Sequence, residues 1–180
     1  MRKPSPAQGG ASLIEVLVAI LIMSFGMLSL SGMLAYAVQL PKLSAYRATA
    51  VMLAAGHVER MRANTAGFVA GAYNETMTYE QSITAIVPCA HPTCDAASIA
   101  TKDKFDSNIE IRRELPQGGM RMVCNGSCDS REGDLWVVWQ EPSTFSALGA
   151  IANDECPNPA DSPTFAFVVQ PRCIHIRFKL

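Results

Sequence analysis

The sequence predicts an α+β protein in which one long N-terminal helix packs on an antiparallel sheet of about four strands. Three observations carry this. Between Ala11 and Pro41 the only charged side chain is Glu15, although the 180 residues hold 15 Lys and Arg against 16 Asp and Glu. Beyond Pro41 an apolar stripe at three- and four-residue spacing continues the helix. The C-terminal part alternates apolar and polar residues, as half-buried strands do. A hydrophobic share of 49% and a net charge of −1 hide this segregation. The two halves together exclude a disordered chain and a multi-pass membrane protein. The near-neutral charge argues against a nucleic-acid partner held by a broad basic surface.

Residues 16–40 form an apolar run without charge. At 1.5 Å rise, roughly 20 residues cross a hydrocarbon core, so this run spans the membrane with some tilt. Arg2 and Lys3 precede it, which puts the N-terminus in the cytoplasm and the later domain on the far side. An ordinary signal peptide fits poorly. Its apolar stretch is about 7–15 residues and ends in a small-residue cleavage site, and no clean A-x-A site stands before Lys42. Glu15 is the odd residue. With Ser12 it has the S-x-x-E spacing of a capping box, which is a local use. Alternatively it is a charge awaiting a cation, since a carboxylate at mid-bilayer costs up to about 3 kcal/mol. Gly26 and Gly32, with Ser24, Ser29 and Ser31 nearby, are either tolerated small residues or a place for close helix packing.

The stripe beyond the membrane consists of Leu43, Tyr46, Ala50, Leu53, Ala54, Val58 and Met61. Pro41 is expected to kink the helix, and Asn64-Thr65-Ala66-Gly67 to stop it. Residues 68–88 are mixed, open to strand or loop. Asp95 is placed to cap a helix over 96–114, with Ile99, Phe105, Ile109 and Ile111 inward. Pro116-Gln117-Gly118-Gly119 turns the chain. Strands are expected over 120–124, 135–140, 165–169 and 173–178, the last two separated by Pro171. Trp136 and Trp139 fall on opposite strand faces, so one is expected in the core.

Six cysteines follow the apolar run: Cys89, Cys94, Cys124, Cys128, Cys156 and Cys173. An even count in an oxidising compartment argues for disulfides. Local spacing points to Cys89–Cys94, Cys124–Cys128 and Cys156–Cys173, among the 15 pairings six cysteines allow. A zinc site on the first two pairs, with His91 added, is the rival reading. No G-x-S-x-G, P-loop or H-E-x-x-H motif is present. His57, His91 and His175 read as structural or solvated, and no catalytic residue, metal or cofactor is expected.

The string Gly9-Gly10-Ala11-Ser12-Leu13-Ile14-Glu15-Val16-Leu17 resembles the processing signal of type IV pilins. The resemblance implies cleavage by a prepilin peptidase between Gly10 and Ala11, then N-methylation. Glu15 is then the fifth residue of the mature chain, as in the family. The family usually starts with phenylalanine; this chain would start with Ala11. Loss of Arg2 and Lys3 takes the net charge from −1 to −3. His57-Val58-Glu59-Arg60-Met61-Arg62-Ala63-Asn64, Leu115-Pro116-Gln117-Gly118-Gly119 and Trp139-Gln140-Glu141 resemble stretches of the minor pilins called type IV pilus modification proteins. The layout implied is a leader over 1–10, an assembly helix over 11–40, its amphipathic continuation over 41–66 and a periplasmic domain over 67–180. Ala11 and Glu15 are the expected assembly residues. Other minor and major pilins, the prepilin peptidase and the inner membrane are the expected partners, with no enzymatic role. A type II secretion pseudopilin and a single-pass anchored binding module are the alternatives.

Overall fold

The computed structural model describes residues 12–79, 81–86, 89–90, 92–140, 156–157 and 171–180. Its elements are α1 (Leu13–Ala63), α2 (Thr65–Val69), α3 (Ala96–Glu114), β1 (Gly119–Cys124), a 3₁₀ turn (Cys128–Ser130), β2 (Glu132–Trp139) and β3 (Arg172–Lys179). The chain divides into two compact units, Met1–Lys42 and Leu43–Leu180.

In the second unit, Ala50, Ala54, His57, Val58 and Met61 of α1 are buried. Their spacing is that of one helix face, and small alanines let the backbone approach its neighbours. Asn64 ends α1 and caps α2: its Oδ1 accepts from the Gly67 N–H at 3.2 Å. Its Nδ2 donates to the Ala96 carbonyl at 2.7 Å, tying the helix end to the start of α3. Pro41 lies inside α1, which runs through it.

The described strands form an antiparallel sheet in the order β1-β2-β3. Leu135, Val137 and Trp139 point into the main core, with Met120 and Met122 of β1 and Ile174 and Phe178 of β3. The opposite face carries Trp136, half-buried, stacked on His175 at 4.7 Å and under Arg121. Only Trp139 is therefore a core tryptophan. β2 begins three residues earlier than its apolar run, because Lys179, Phe178 and Arg177 of β3 pair with Glu132, Gly133 and the buried Asp134. Burial opposes its ionisation, but hydrogen bonds from Arg177 and His175 outweigh that and hold its pKa below the usual carboxylate range. The expected strand over 165–169 lies outside the described residues.

The free edge of β1 is covered by the segment after α2. Glu75 and Met122 exchange backbone hydrogen bonds at 2.9 and 3.2 Å, and the Thr78 Oγ1 accepts from the Met120 N–H at 2.8 Å. Such cover removes an edge that would otherwise pair with another chain. The turn into β1 is tight. Gln117 takes a left-handed φ of 51°, and Gly118 N–H bonds the Leu115 carbonyl at 3.0 Å. A Cβ on Gly119 would lie 2.3 Å from the Tyr79 backbone nitrogen, so only glycine lets the two backbones meet.

Asp95 caps α3 as its sequence indicates, its Oδ1 accepting from the Ser98 N–H at 2.7 Å. The inward face differs from expectation in part: Ile111 is buried as expected, and Phe105 is half-buried. Ile99 and Ile109 are 37% and 44% exposed, whereas Ala100, Ser107, Asn108 and Ile111 are buried. The buried face is polar because its hydroxyl and amide find partners: Ser107 on His57, and Asn108 on Thr78 and Glu75.

Candidate assembly site

The first unit is dominated by a single feature. Leu13–Val38 has a mean hydropathy of 2.4, is long and apolar enough to cross a membrane, and buries none of its length within the chain. Leu, Ile, Val, Met and Phe side chains project all round it. A helix apolar on every side needs lipid or other apolar helices around it. Ser24 and Ser31 donate to the carbonyls of Ile20 and Met27, at 2.7 and 2.8 Å. Their hydroxyls are thus satisfied inside the helix and leave its surface effectively apolar. Gly26 and Gly32 have open space where a side chain would stand, and the helix runs unbroken through both.

Glu15 sits in the first turn of this helix, exposed. The Ser12 carbonyl accepts from the N–H groups of Glu15 and Val16 at 2.9 and 3.2 Å and so starts the helix. No ion pair or hydrogen bond joins the Glu15 carboxylate to another described residue. Its position suits the positive end of the helix dipole, which contributes only about 0.3–1 kcal/mol at an exposed site. A carboxylate at the head of an apolar helix therefore still lacks a full counter-charge. Gly10 and Ala11 lie outside the described residues.

The second unit holds the remaining candidates. Cys89–Cys94, Cys124–Cys128 and Cys156–Cys173 are disulfides, and no cysteine is free. Bonded sulfurs offer no thiolates, so the zinc reading of the first two pairs does not hold. His175 is held by Asp134, its Nε2 lying 2.8 Å from Oδ1. His91 lies outside the described residues. His57 makes a contact that sequence reasoning missed: its Nδ1 lies 2.8 Å from the Ser107 Oγ, fifty residues away. Such a pair looks like a nucleophile with its base. Yet Ser107 is 3% and His57 1% exposed, and no described group bonds the His57 Nε2. It lacks both substrate access and the third, orienting residue. Around it, the Tyr73 hydroxyl donates to Asp103, and burial first, then that bond, pushes the phenol pKa up. No local signal marked this cluster, because its members are single polar residues on separate elements.

A long apolar helix leading into an α+β head defines a pilin-like fold. Comparison with protein families agrees. Residues 33–105 match the family described as type IV pilin Tt1218, and residues 5–31 match the prokaryotic N-terminal methylation motif. The second match spans Gly10, Ala11 and Glu15; the first runs from the apolar helix into α3. Together they support a type IV pilin with a prepilin processing motif, and hence general dealings with other pilins and with a prepilin peptidase. No curated protein and no solved structure matches the chain.

Proposed function

We propose that this chain is a minor pilin of a type IV pilus, of the group called PilV or type IV pilus modification protein. The observation that carries the reading is Glu15: a carboxylate without a described partner, at the head of a wholly exposed apolar helix, inside the methylation-motif match. The group assignment is supported by the Glu59-to-Asn64 run, the Leu115-to-Gly119 turn and the Trp139-Gln140-Glu141 stretch.

The physical sequence of events follows from the charges. The precursor waits in the inner membrane with Arg2 and Lys3 in the cytoplasm and the cysteine-bearing domain in the periplasm. The prepilin peptidase cuts between Gly10 and Ala11 and frees a positive α-amine, which is then methylated. That amine pairs with Glu15 of a neighbouring subunit, neutralising a carboxylate that lipid solvates poorly. The apolar helix moves from lipid to a bundle of like helices, an exchange between two apolar surroundings that costs little. The globular domain remains outside the bundle, and the subunit primes assembly near the filament tip. Its role is structural rather than enzymatic.

Co-expression with a prepilin peptidase tests the processing step. The expected product is shortened to begin at Ala11, and replacing Gly10 by a bulky residue blocks the cut. An uncut chain in the presence of active peptidase contradicts the proposal.

A further inference from the structure

We propose that the His57–Ser107 contact is an acid-labile latch: a proton on His57 loosens α3 from α1 while the three-stranded sheet stays formed. The imidazole is shut in the interface between the two helices, 1% exposed, with Nδ1 2.8 Å from the Ser107 Oγ. The Tyr73 ring meets it edge-on, 5.9 Å between centroids. Its Nε2 has no hydrogen-bond partner among the described residues. A neutral ring tolerates this, because one nitrogen carries only a lone pair. An imidazolium has two N–H donors, so one would be buried without an acceptor.

The charges facing His57 make that worse. Arg60 from α1 and Lys104 from α3 are both positive and both disfavour the proton. The nearby carboxylates are engaged elsewhere. Asp106 and Glu110 pair with Arg60, at 3.6 and 3.0 Å. Asp103 accepts from the Tyr73 hydroxyl, and Glu75, on the segment after α2, accepts from Asn108. Glu75 is itself driven toward its neutral form by burial. Each of these described carboxylates therefore already has a partner other than His57.

The Arg60 pairs and the Asn64 bond to Ala96 also join α3 to α1 and its end, but further contacts of α3 lead elsewhere. Arg112 donates to the carbonyls of Gly118 and Thr78, and Asn108 reaches Thr78 and Glu75. These hold α3 to the turn and to the segment beside β1, away from His57. Acid therefore acts on the α1 side of α3 and spares the sheet.

The sign follows from linkage. Burial first, then Arg60 and Lys104, lower the His57 pKa from 6.5 to about 4. With the latch open, His57 meets water and returns to its ordinary value. The closed state is then at full strength above about pH 6.5 and weakens as pH falls toward 4. Between pH 8 and pH 5 the opening equilibrium rises about 30-fold.

Hydrogen exchange read by mass spectrometry tests this on the full-length chain in detergent micelles at pH 8 and pH 5, corrected for intrinsic rates. In the wild type, α3 peptides should open about 30-fold more at pH 5, with the sheet unchanged. In His57→Gln, which stays neutral, α3 should show no such pH dependence. Equal pH dependence in the variant, no opening of α3 in the wild type, or parallel opening of the sheet overturns the proposal. Should His57→Gln fail to fold, an NMR titration of the wild-type His57 ring decides. A midpoint near 4 supports the latch, and one near 6.5 overturns it.

Discussion

Glu15→Ala should fold, insert and be processed like the wild type, yet fall about 100-fold in incorporation when both compete for one filament. The magnitude follows from the pair. Leaving a poorly solvated charge without its partner costs about 3 kcal/mol, which is roughly two decades in an equilibrium. Here the stranded charge is the α-amine of the neighbour. The substitution leaves the second unit untouched, so its melting temperature should not change. Glu15→Gln separates charge from shape: it keeps the size and loses the charge, and should fail almost as badly. Counting tagged subunits in sheared filaments checks both. Equal incorporation of Glu15→Ala would reduce Glu15 to a local cap of α1.

The largest effect on folding is expected at Gly119. A Cβ there would come within 2.8 Å of three backbone atoms, the nitrogen and Cα of Tyr79 and the carbonyl carbon of Thr78. No rotamer change relieves a backbone clash, so the segment covering β1 must move away and give up its bonds to Met120. Gly119→Ala should cost about 3 kcal/mol and lower the melting temperature by roughly 10 °C. Gly56→Ala is the control with the opposite sign. Gly56 lies inside α1, exposed, with open space where a Cβ would stand. Alanine there should stabilise by up to about 1 kcal/mol, through helix propensity alone. Thermal unfolding followed by circular dichroism reads both.

These cases also show which parts of the fold a sequence displays. Local signals were readable. The Asp95 cap, the stop at Asn64 and the alternation in β3 each reflect chemistry between neighbours in the chain, and each element begins or ends within a residue or two of its signal. What held only in part was the inference that large apolar residues mark the buried face: Ile111 is buried as expected. On α3, Ile99 and Ile109 point outward, while Ser107 and Asn108 are buried because His57 and Thr78 supply their hydrogen bonds. Those partners lie fifty and thirty residues away, and no window along the chain brings them together. The start of β2 was hidden for the same reason. Glu132, Gly133 and Asp134 look like a turn until Lys179, Phe178 and Arg177 stand opposite them. The assembly site was legible in the opposite sense. Glu15 stands out because nothing around it in sequence is charged, and folding adds no described partner. The residues expected to be cut, Gly10 and Ala11, are read from the motif alone.

Mass spectrometry of the chain's N-terminus in purified, sheared filaments tests the central claim most directly. The account predicts a subunit that begins at Ala11, with Met1 to Gly10 gone, present among the filament's other pilins. A chain that keeps Met1, or a processed chain found only in the membrane fraction and never in filaments, would contradict it.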